Sequence, residues 1–415
     1  MSGRSESSFP PAEAPRVLLA AAAGLACLGI AWGALHLPFF HHYQIVDTPV
    51  YREYGEAMAN GEVPYRDFDV EYPPAALPLF WAPTVASSER YASIFELLML
   101  ACAAAAVVSV ALAVGAVGGS PLRLVGATVL AGSAPIALGS VVLTRYDFWP
   151  AVLTAAGAAA LVSRRERLGL AALGLGAAAK IYPAIFVPVA LAHVRREKGT
   201  RAAAIALGVF VSVLALVLVP FAVIAPGGLA DSLGRQLERP LQIESLGASL
   251  LLVAHRLGWY EPTVVSSHGS QNLAGGLPDV LATVETVLQA AALVAVWGLV
   301  LRRDTGGDGL VLGLAAAVVA FVALGKVLSP QFLVWLVPLV PLVGGLTGLA
   351  AGALLAAVLV ATQLWFPTRY WDLVGLGPEA WIVLVRNVLL LALLGVLLAA
   401  FAKRLRWGRG SPRSV

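Results

Sequence analysis

The sequence predicts an all-α polytopic membrane protein, a bundle of about ten spans plus a re-entrant helical hairpin, on three observations. Hydrophobic residues make up 59% of the 415 and charged residues only 13%, and the mean hydropathy is +0.83. That is the composition of a chain whose solvent is lipid. Apolar runs of roughly 20 residues recur along it, each able to cross a ~30 Å hydrocarbon core as a helix, and the period-2 alternation of a β-barrel is missing. Lys/Arg clusters separate several of these runs, as cytoplasmic loops do. The net charge of +4 comes from those loops and the tail, which argues against a nucleic-acid surface. Cys27 and Cys102 both lie inside predicted spans, so the sequence offers neither a disulfide framework nor a cysteine metal site.

In chain order, a polar leader at 1–16, with Arg4 and Arg16, precedes a first span at 17–36. No small-residue cleavage site followed by a polar mature domain is seen, so this is a retained helix with its N-terminus inside. Further spans are predicted at 92–117, 122–140, 148–163, 202–224, 280–301, 310–325, 332–345, 350–365 and 381–401. The clusters RRER at Arg164–Arg167, RREKGTR at Arg195–Arg201, LRRD at Leu301–Asp304 and KRLRWGRG at Lys403–Gly410 are expected on the cytoplasmic side. Segment 168–194 lies between two of them, and a single crossing would put one on the wrong side. A hairpin that enters and returns removes the conflict. Its middle, AAAKIYPAIFVP, is interrupted by Lys180 and Pro183, and the proline disfavours α geometry at Tyr182. Broken backbone at membrane depth is tolerated only where protein covers it or it lines a wet cavity, which predicts Lys180 at the base of a cavity. The domain reading is a single transmembrane catalytic unit, 17–402, and a basic cytoplasmic tail, 403–415, with both termini cytoplasmic.

The other polar stretches then share the outer face: loops at about 37–90 and 226–279, TRYD at Thr144–Asp147, LSPQ at Leu328–Gln331, and FPTRYWDLVGLGPE at Phe366–Glu379. A channel would string its polar groups along a path through the bundle, whereas these gather at one surface, as chemistry at the outer interface requires.

Asp47 is the first acid after the first span. Thr48 to Asn60 reads as a short helix stopped by Gly61, so the bland role for Asp47 is a capping carboxylate. The sharper role is a general base at the mouth of a lipid-facing cavity. Glu53, Glu56 and Glu62 read as a solvated face. Arg145, Lys180, Arg235, Arg239, Lys326 and Arg369 sit at or near outer span ends. Each alone is able to snorkel or pair with a loop acid, but together they suit a lipid-linked phosphate. Arg145, Lys180, Arg239 and Lys326 are the phosphate-binding candidates. Tyr65, Glu71, Tyr72, Tyr182, Gln242, Glu244, His268 and Gln331 are candidates for shaping the cavity or touching substrate. His268, flanked by small polar residues in VVSSHGSQN, is a weaker acid/base candidate, and His41 and His42 read as interfacial. Trp335, Trp365 and Trp371 suit either an interfacial belt or stacking on sugar rings. No Walker motif, dinucleotide fingerprint, zincin histidine pair or EF-hand spacing occurs, and DFD at Asp67–Asp69 is too weak to carry a metal.

YREYGEAMANGEVPYRDFDVEYPPAALPLF after an early Asp resembles the first outer loop of GT-C glycosyltransferases that use polyprenyl-phosphate sugars, and it is most similar to glycosyltransferase family 87, the bacterial mannosyltransferase and arabinofuranosyltransferase group. RYDFWPAVL, GAAAKIYPAIFVPVAL, LERPLQIESL and KVLSPQFLVWLVPL agree in order. The resemblance implies an inverting transfer in the bacterial plasma membrane, with the site on the extracytoplasmic face and Asp47 as the base. It also implies a polyprenyl-phosphate donor, most readily of mannose, and a cell-envelope glycolipid or polysaccharide acceptor. No cofactor, divalent metal or nucleic acid is expected. The competing reading is a transporter or polyprenol flippase, which inverted repeats or ionisable pairs at mid-membrane depth would favour. Beyond Lys180 the sequence reading finds neither.

Overall fold

Helix accounts for 77% of the computed structural model, which describes residues 13–41, 45–302 and 306–407. In chain order the longer helices are α1 (Ala14–Ala34), α2 (Thr48–Ala59), α3 (Tyr91–Ala116), α4 (Pro121–Leu138), α5 (Phe148–Val162), α6 (Glu166–Ala179) and α7 (Val187–Ile224). They continue with α8 (Pro226–Glu238), α9 (Leu246–Arg256), α10 (Gly276–Leu301), α11 (Gly306–Ala323), α12 (Gly345–Gln363) and α13 (Glu379–Trp407). The side chains of His41 and His42, Arg303 and Asp304, the leader before Glu13 and the tail side chains from Lys403 onward lie outside the described residues.

Among the described residues, eight helices are long and apolar enough to cross a membrane, so the chain is a polytopic membrane protein. They correspond to eight of the predicted spans. The other two are shorter: α5 has 15 residues, and 332–345 forms 3-10 turns over Pro330–Trp335 and Val340–Leu342. Pro330, Pro338 and Pro341 remove backbone donors there and prevent a continuous helix.

Helix packing relies on small residues, as it does where lipid offers no hydrophobic drive between helices. Gly132 of α4 lies against the backbone of α1 at Gly24, so that a Cβ on Gly132 would run into the Gly24 carbonyl. Ser120 caps α4 by accepting a hydrogen bond from the Arg123 amide (3.3 Å), and Gly139, at φ +72°, ends it.

Segment 168–194 is broken where the sequence places the interruption. α6 advances ~21 Å over its length and ends at Lys180, which is extended (φ −160°, ψ 135°). A 3-10 turn, Tyr182–Phe186, follows, and the first part of α7 runs back to a non-helical residue, Gly199 (φ 85°). The return brings the two ends together: Arg164 meets Glu197 at 3.0 Å, and the Lys198 Nζ donates to Glu166 at 2.6 Å and to the Arg164 carbonyl at 2.8 Å. Beyond Gly199, α7 continues to Ile224.

The long loop after α7 contains structure that the sequence reading did not anticipate. Strands β1 (Leu241–Gln242), β2 (Thr263–Ser267) and β3 (Ser270–Ala274) form an antiparallel sheet in the order β1-β3-β2. Its register pairs Gln242 with Asn272 and Ser267 with Ser270. The two residues that join β2 to β3, His268 and Gly269, both have positive φ (53° and 65°), as a tight primed hairpin turn demands.

The close approach of α1 and α4 is directly testable. Gly132→Leu is expected to destabilise the protein by about 1–3 kcal/mol through overpacking, read as a lowered midpoint of unfolding in detergent. Gly126→Leu, where a Cβ meets nothing within 4 Å, should leave the midpoint nearly unchanged.

Candidate active site

Asp47 occupies the N-cap position of α2 but makes no side-chain cap hydrogen bond. Its carboxylate instead forms an ion pair with Arg145 and accepts a hydrogen bond from the Tyr51 hydroxyl at 3.3 Å. The cap role therefore does not explain the side chain. Arg145 is brought there by the extended residue that ends a short helical turn, Val141–Thr144, just before α5. Burial lowers its guanidinium to about 10, which leaves it charged at neutral pH.

A second pair lies alongside. Asp147 stands at the N-cap position of α5, again without capping it. One of its oxygens accepts from the Lys180 Nζ at 2.6 Å and from the Trp335 indole at 2.8 Å. The ammonium also sits over three ring faces, 4.7 Å from Tyr146, 5.0 Å from Trp335 and 5.2 Å from Phe332. Tyr182 lies beneath, stacked on Trp335 at 4.1 Å and hydrogen-bonded to Thr154 at 3.2 Å. Arg145 and Arg239 both lie within electrostatic reach of Lys180.

The first loop forms the adjoining wall. Tyr72 packs edge-on against Tyr51 (5.6 Å) and Tyr146 (5.0 Å), and its carbonyl accepts from the Tyr65 hydroxyl at 2.5 Å. Tyr65 takes a left-handed conformation (φ 68°) and packs on Phe221 and on Gly228, where any side chain would strike the Tyr65 carbonyl. Glu71 receives Gln236 on its carbonyl (3.1 Å), and its carboxylate lies next to Gly269 at the hairpin tip. Burial, with Glu71 nearby, pushes the Tyr54 hydroxyl up to about 12. The acids of DFD are engaged elsewhere: Asp67 binds Arg66 and the Val63 amide, which hold it down at about 2, and Asp69 pairs with Arg235 at 2.8 Å.

The remaining candidates divide. Arg239 donates to the His268 carbonyl at 2.7 Å, so His268 serves as a turn residue that anchors a cation. Glu244 is buried among Gln242, Arg386 and Arg239, and Arg145 and Tyr370 feel its charge. Gln242 is tied to Ser329 at 2.7 Å. Gln331 lies half-buried in the turn that carries Trp335. The Lys326 Nζ donates to the Leu237 carbonyl at 2.9 Å and so caps the end of α8. Arg369 and Trp371 are exposed, and Trp335 and Trp365 are fully buried, with no open ring face for a sugar. Among the described residues, no group of three or more His, Cys, Asp or Glu is placed to hold a metal ion.

Sequence reasoning overlooked Asp147, Glu285, Arg386 and Asn387. Glu285 in α10 accepts from the Gly247 amide at 2.5 Å, Arg386 in α13 donates to the Glu244 carbonyl at 2.8 Å, and Asn387 donates to the Ser245 carbonyl at 3.1 Å. The signal for Glu285 and Arg386 was available, because charged residues inside predicted spans are costly and face protein. Their contacts seat the segment that holds Glu244.

The model of glycosyltransferase family 87 matches residues 71–330. The match includes Glu71, Arg145, Asp147, Lys180, Arg239, Glu244 and Lys326 and excludes Asp47, Gln331 and Arg386. None of the curated proteins matches the chain.

Two outcomes follow from this geometry. Lys180→Met strands the Asp147 carboxylate and is expected to cost about 3–5 kcal/mol in unfolding experiments, whereas Lys180→Met with Asp147→Asn should recover most of it. Burial pushes the Glu244 carboxyl up to about 7. The folded protein thus holds its proton longer than the unfolded chain, in which a Glu titrates near ~4.3. Its contribution is complete at acidic pH and is lost as pH rises from there through about 7. Glu244→Gln should flatten that part of a plot of unfolding midpoint against pH.

Proposed function

Because the chain belongs to glycosyltransferase family 87, whose model spans more than half of it, we propose that it transfers a sugar from a polyprenyl-phosphate donor, with Asp47 as the general base. That it is a membrane-embedded glycosyltransferase follows from the family and the eight apolar helices. The finer reading is supported above all by one observation: Asp47 holds a cap position, yet directs its carboxylate to Arg145 beside a second cation, Lys180. Displacement at a phosphate-bearing anomeric carbon needs a base for the acceptor on one face of the sugar and cations for the phosphate on the other, and this cluster contains both kinds of group.

In the proposed reaction Asp47 takes the proton of an acceptor hydroxyl as its oxygen forms a bond to the anomeric carbon. The bond from that carbon to the phosphate oxygen breaks, and its electron pair leaves with the polyprenyl phosphate. Attack from the face opposite the leaving group inverts the anomeric centre. Arg145 and Arg239 carry the growing charge on the phosphate, and Lys180, still paired with Asp147, adds its positive field from beneath. Mannose is the first sugar to test, because the motifs resemble those of the mannosyl- and arabinofuranosyltransferases, with a cell-envelope glycolipid or polysaccharide as acceptor.

The Arg164 to Lys198 cluster lies where both arms of the α6–α7 hairpin end, and Lys180 lies at its turn. With the basic clusters on the cytoplasmic side, the reading puts this site on the extracytoplasmic face. In membranes supplied with radiolabelled polyprenyl-phosphate-mannose, Asp47→Asn should lower transfer by about 10²–10⁴-fold. Transfer at the wild-type rate would remove Asp47 from the role of base. A parallel panel of polyprenyl-phosphate sugars identifies the donor.

A further inference from the structure

Arg145 and Lys180 both have carboxylate partners in this structure, and this restricts how a phosphate reaches them. Lys180 is held by Asp147, and Arg145 by Asp47. An anion bound through either cation competes with a carboxylate, and the surroundings of the two pairs differ. The Asp147 side chain is only 2% exposed, also accepts from Trp335, and faces an ammonium enclosed by three rings. Separating that pair would strand a buried charge with nowhere to turn. The Asp47 side chain is 23% exposed and, among the described residues, has besides Arg145 only the long hydrogen bond from Tyr51. Arg145 also carries a buried Nε with no hydrogen-bond partner. It has a donor to spare, and guanidinium donors form a fork that fits two phosphate oxygens.

Resting on the reading of Asp47 and Arg145 given above, we infer that Arg145 exchanges partners, passing from Asp47 to the lipid-linked phosphate when the donor binds. The exchange sets an order. While Arg145 occupies Asp47, the carboxylate has fewer lone pairs free to receive a hydroxyl proton. Once the phosphate holds Arg145, Asp47 is released beside the reacting centre, so the donor must bind before the acceptor is activated. Tyr51 then keeps the freed carboxylate oriented, and the Asp147–Lys180 pair stays intact as the fixed floor beneath. Arg145 is thus a positioning residue for the base as well as a ligand for the phosphate.

Binding alone tests this, with polyprenyl phosphate that carries no sugar as the probe and neutral polyprenol as the control. Asp47→Asn leaves Arg145 without a competitor, and it should bind polyprenyl phosphate roughly 5–150-fold more tightly than wild type. Arg145→Gln should bind it more weakly, and in the Arg145→Gln background Asp47→Asn should bring no gain. Asp47→Ser should repeat the gain if the asparagine variant is poorly folded, and unchanged affinity for polyprenol shows that each variant is intact. Unchanged or weaker binding by both Asp47 variants overturns the exchange. So does a gain that survives in the Arg145→Gln background, because repulsion between Asp47 and phosphate would then suffice. A wild type that binds polyprenyl phosphate no better than polyprenol overturns the donor reading itself, whereas full transfer by Asp47→Asn removes the base but not the competition.

Discussion

A carboxylate enclosed among apolar helices needs a counter-charge, and meeting that need for Asp147 fixes where three distant parts of the chain meet. The α5 start supplies the acid, the break after α6 supplies Lys180, and the turn after Pro330 supplies Trp335. None of these is a regular helical position. Lys180 is extended, Asp147 holds a cap site that it does not cap, and Trp335 ends a 3-10 turn in a proline-interrupted segment. In an unbroken helix, Lys180 would lie on the side of α6 instead of at its end. The irregular backbone is therefore what brings the pair together, and packing of Tyr146, Phe332 and Trp335 around the ammonium, with Tyr182 stacked behind Trp335, limits the water that would weaken it.

A second set of buried polar contacts works in the same direction. Glu285, Arg386 and Asn387 extend from two long apolar helices, α10 and α13, to backbone groups between Glu244 and Gly247. Ser245 then caps α9 by accepting from the Ala248 amide at 3.2 Å. Charges inside such helices are the expected mark of a transport path. Here the hydrogen bonds that Glu285 and Arg386 make go to loop backbone that would otherwise lie buried without partners. The loop they hold sets Glu244 between Arg239 and Arg386, next to Arg145. The position of the phosphate-binding candidates thus depends in part on α13, which lies beyond the segment that matches the family.

What was legible in the sequence follows from how local each signal is. The basic runs on either side of 168–194 and the Lys–Ile–Tyr–Pro break together implied a chain that turns back, and the contacts of Glu197 and Lys198 with the start of α6 show the return. Span length and composition located the long helices for the same reason. Asp47 was visible as an acid but not as the partner of Arg145, because Thr-Pro after an Asp predicts a cap and nothing local reveals a competing cation. Asp147 was hidden in the same way, before a helix that begins Phe-Trp-Pro. The β2–β3 hairpin escaped notice because His268-Gly269 is not one of the usual turn pairs and half of the residues in its short strands are Ser, Gln or Asn. Long-range pairing carries the site's chemistry, and pairing is the part that a single sequence shows least.

The two ion pairs share one design but differ in the freedom left to them, and that difference matters for chemistry at a membrane surface. A site that binds a charged lipid headgroup must not leave bare cations in a poorly solvated place, because an unpaired buried charge is far more costly than a paired one. Pairing both cations with carboxylates meets that requirement. If both pairs were as enclosed as Asp147 and Lys180, no phosphate would compete; if both were exposed, neither would hold a fixed geometry. One fixed pair and one exchangeable pair avoid both outcomes. On the proposed exchange, Arg145 moves from one charge-assisted hydrogen bond to another, so binding costs only the difference between two partners and not the desolvation of a free guanidinium. The carboxylate displaced in that step is the group proposed as the base, so the proposed exchange couples arrival of the leaving group to the freeing of the proton acceptor.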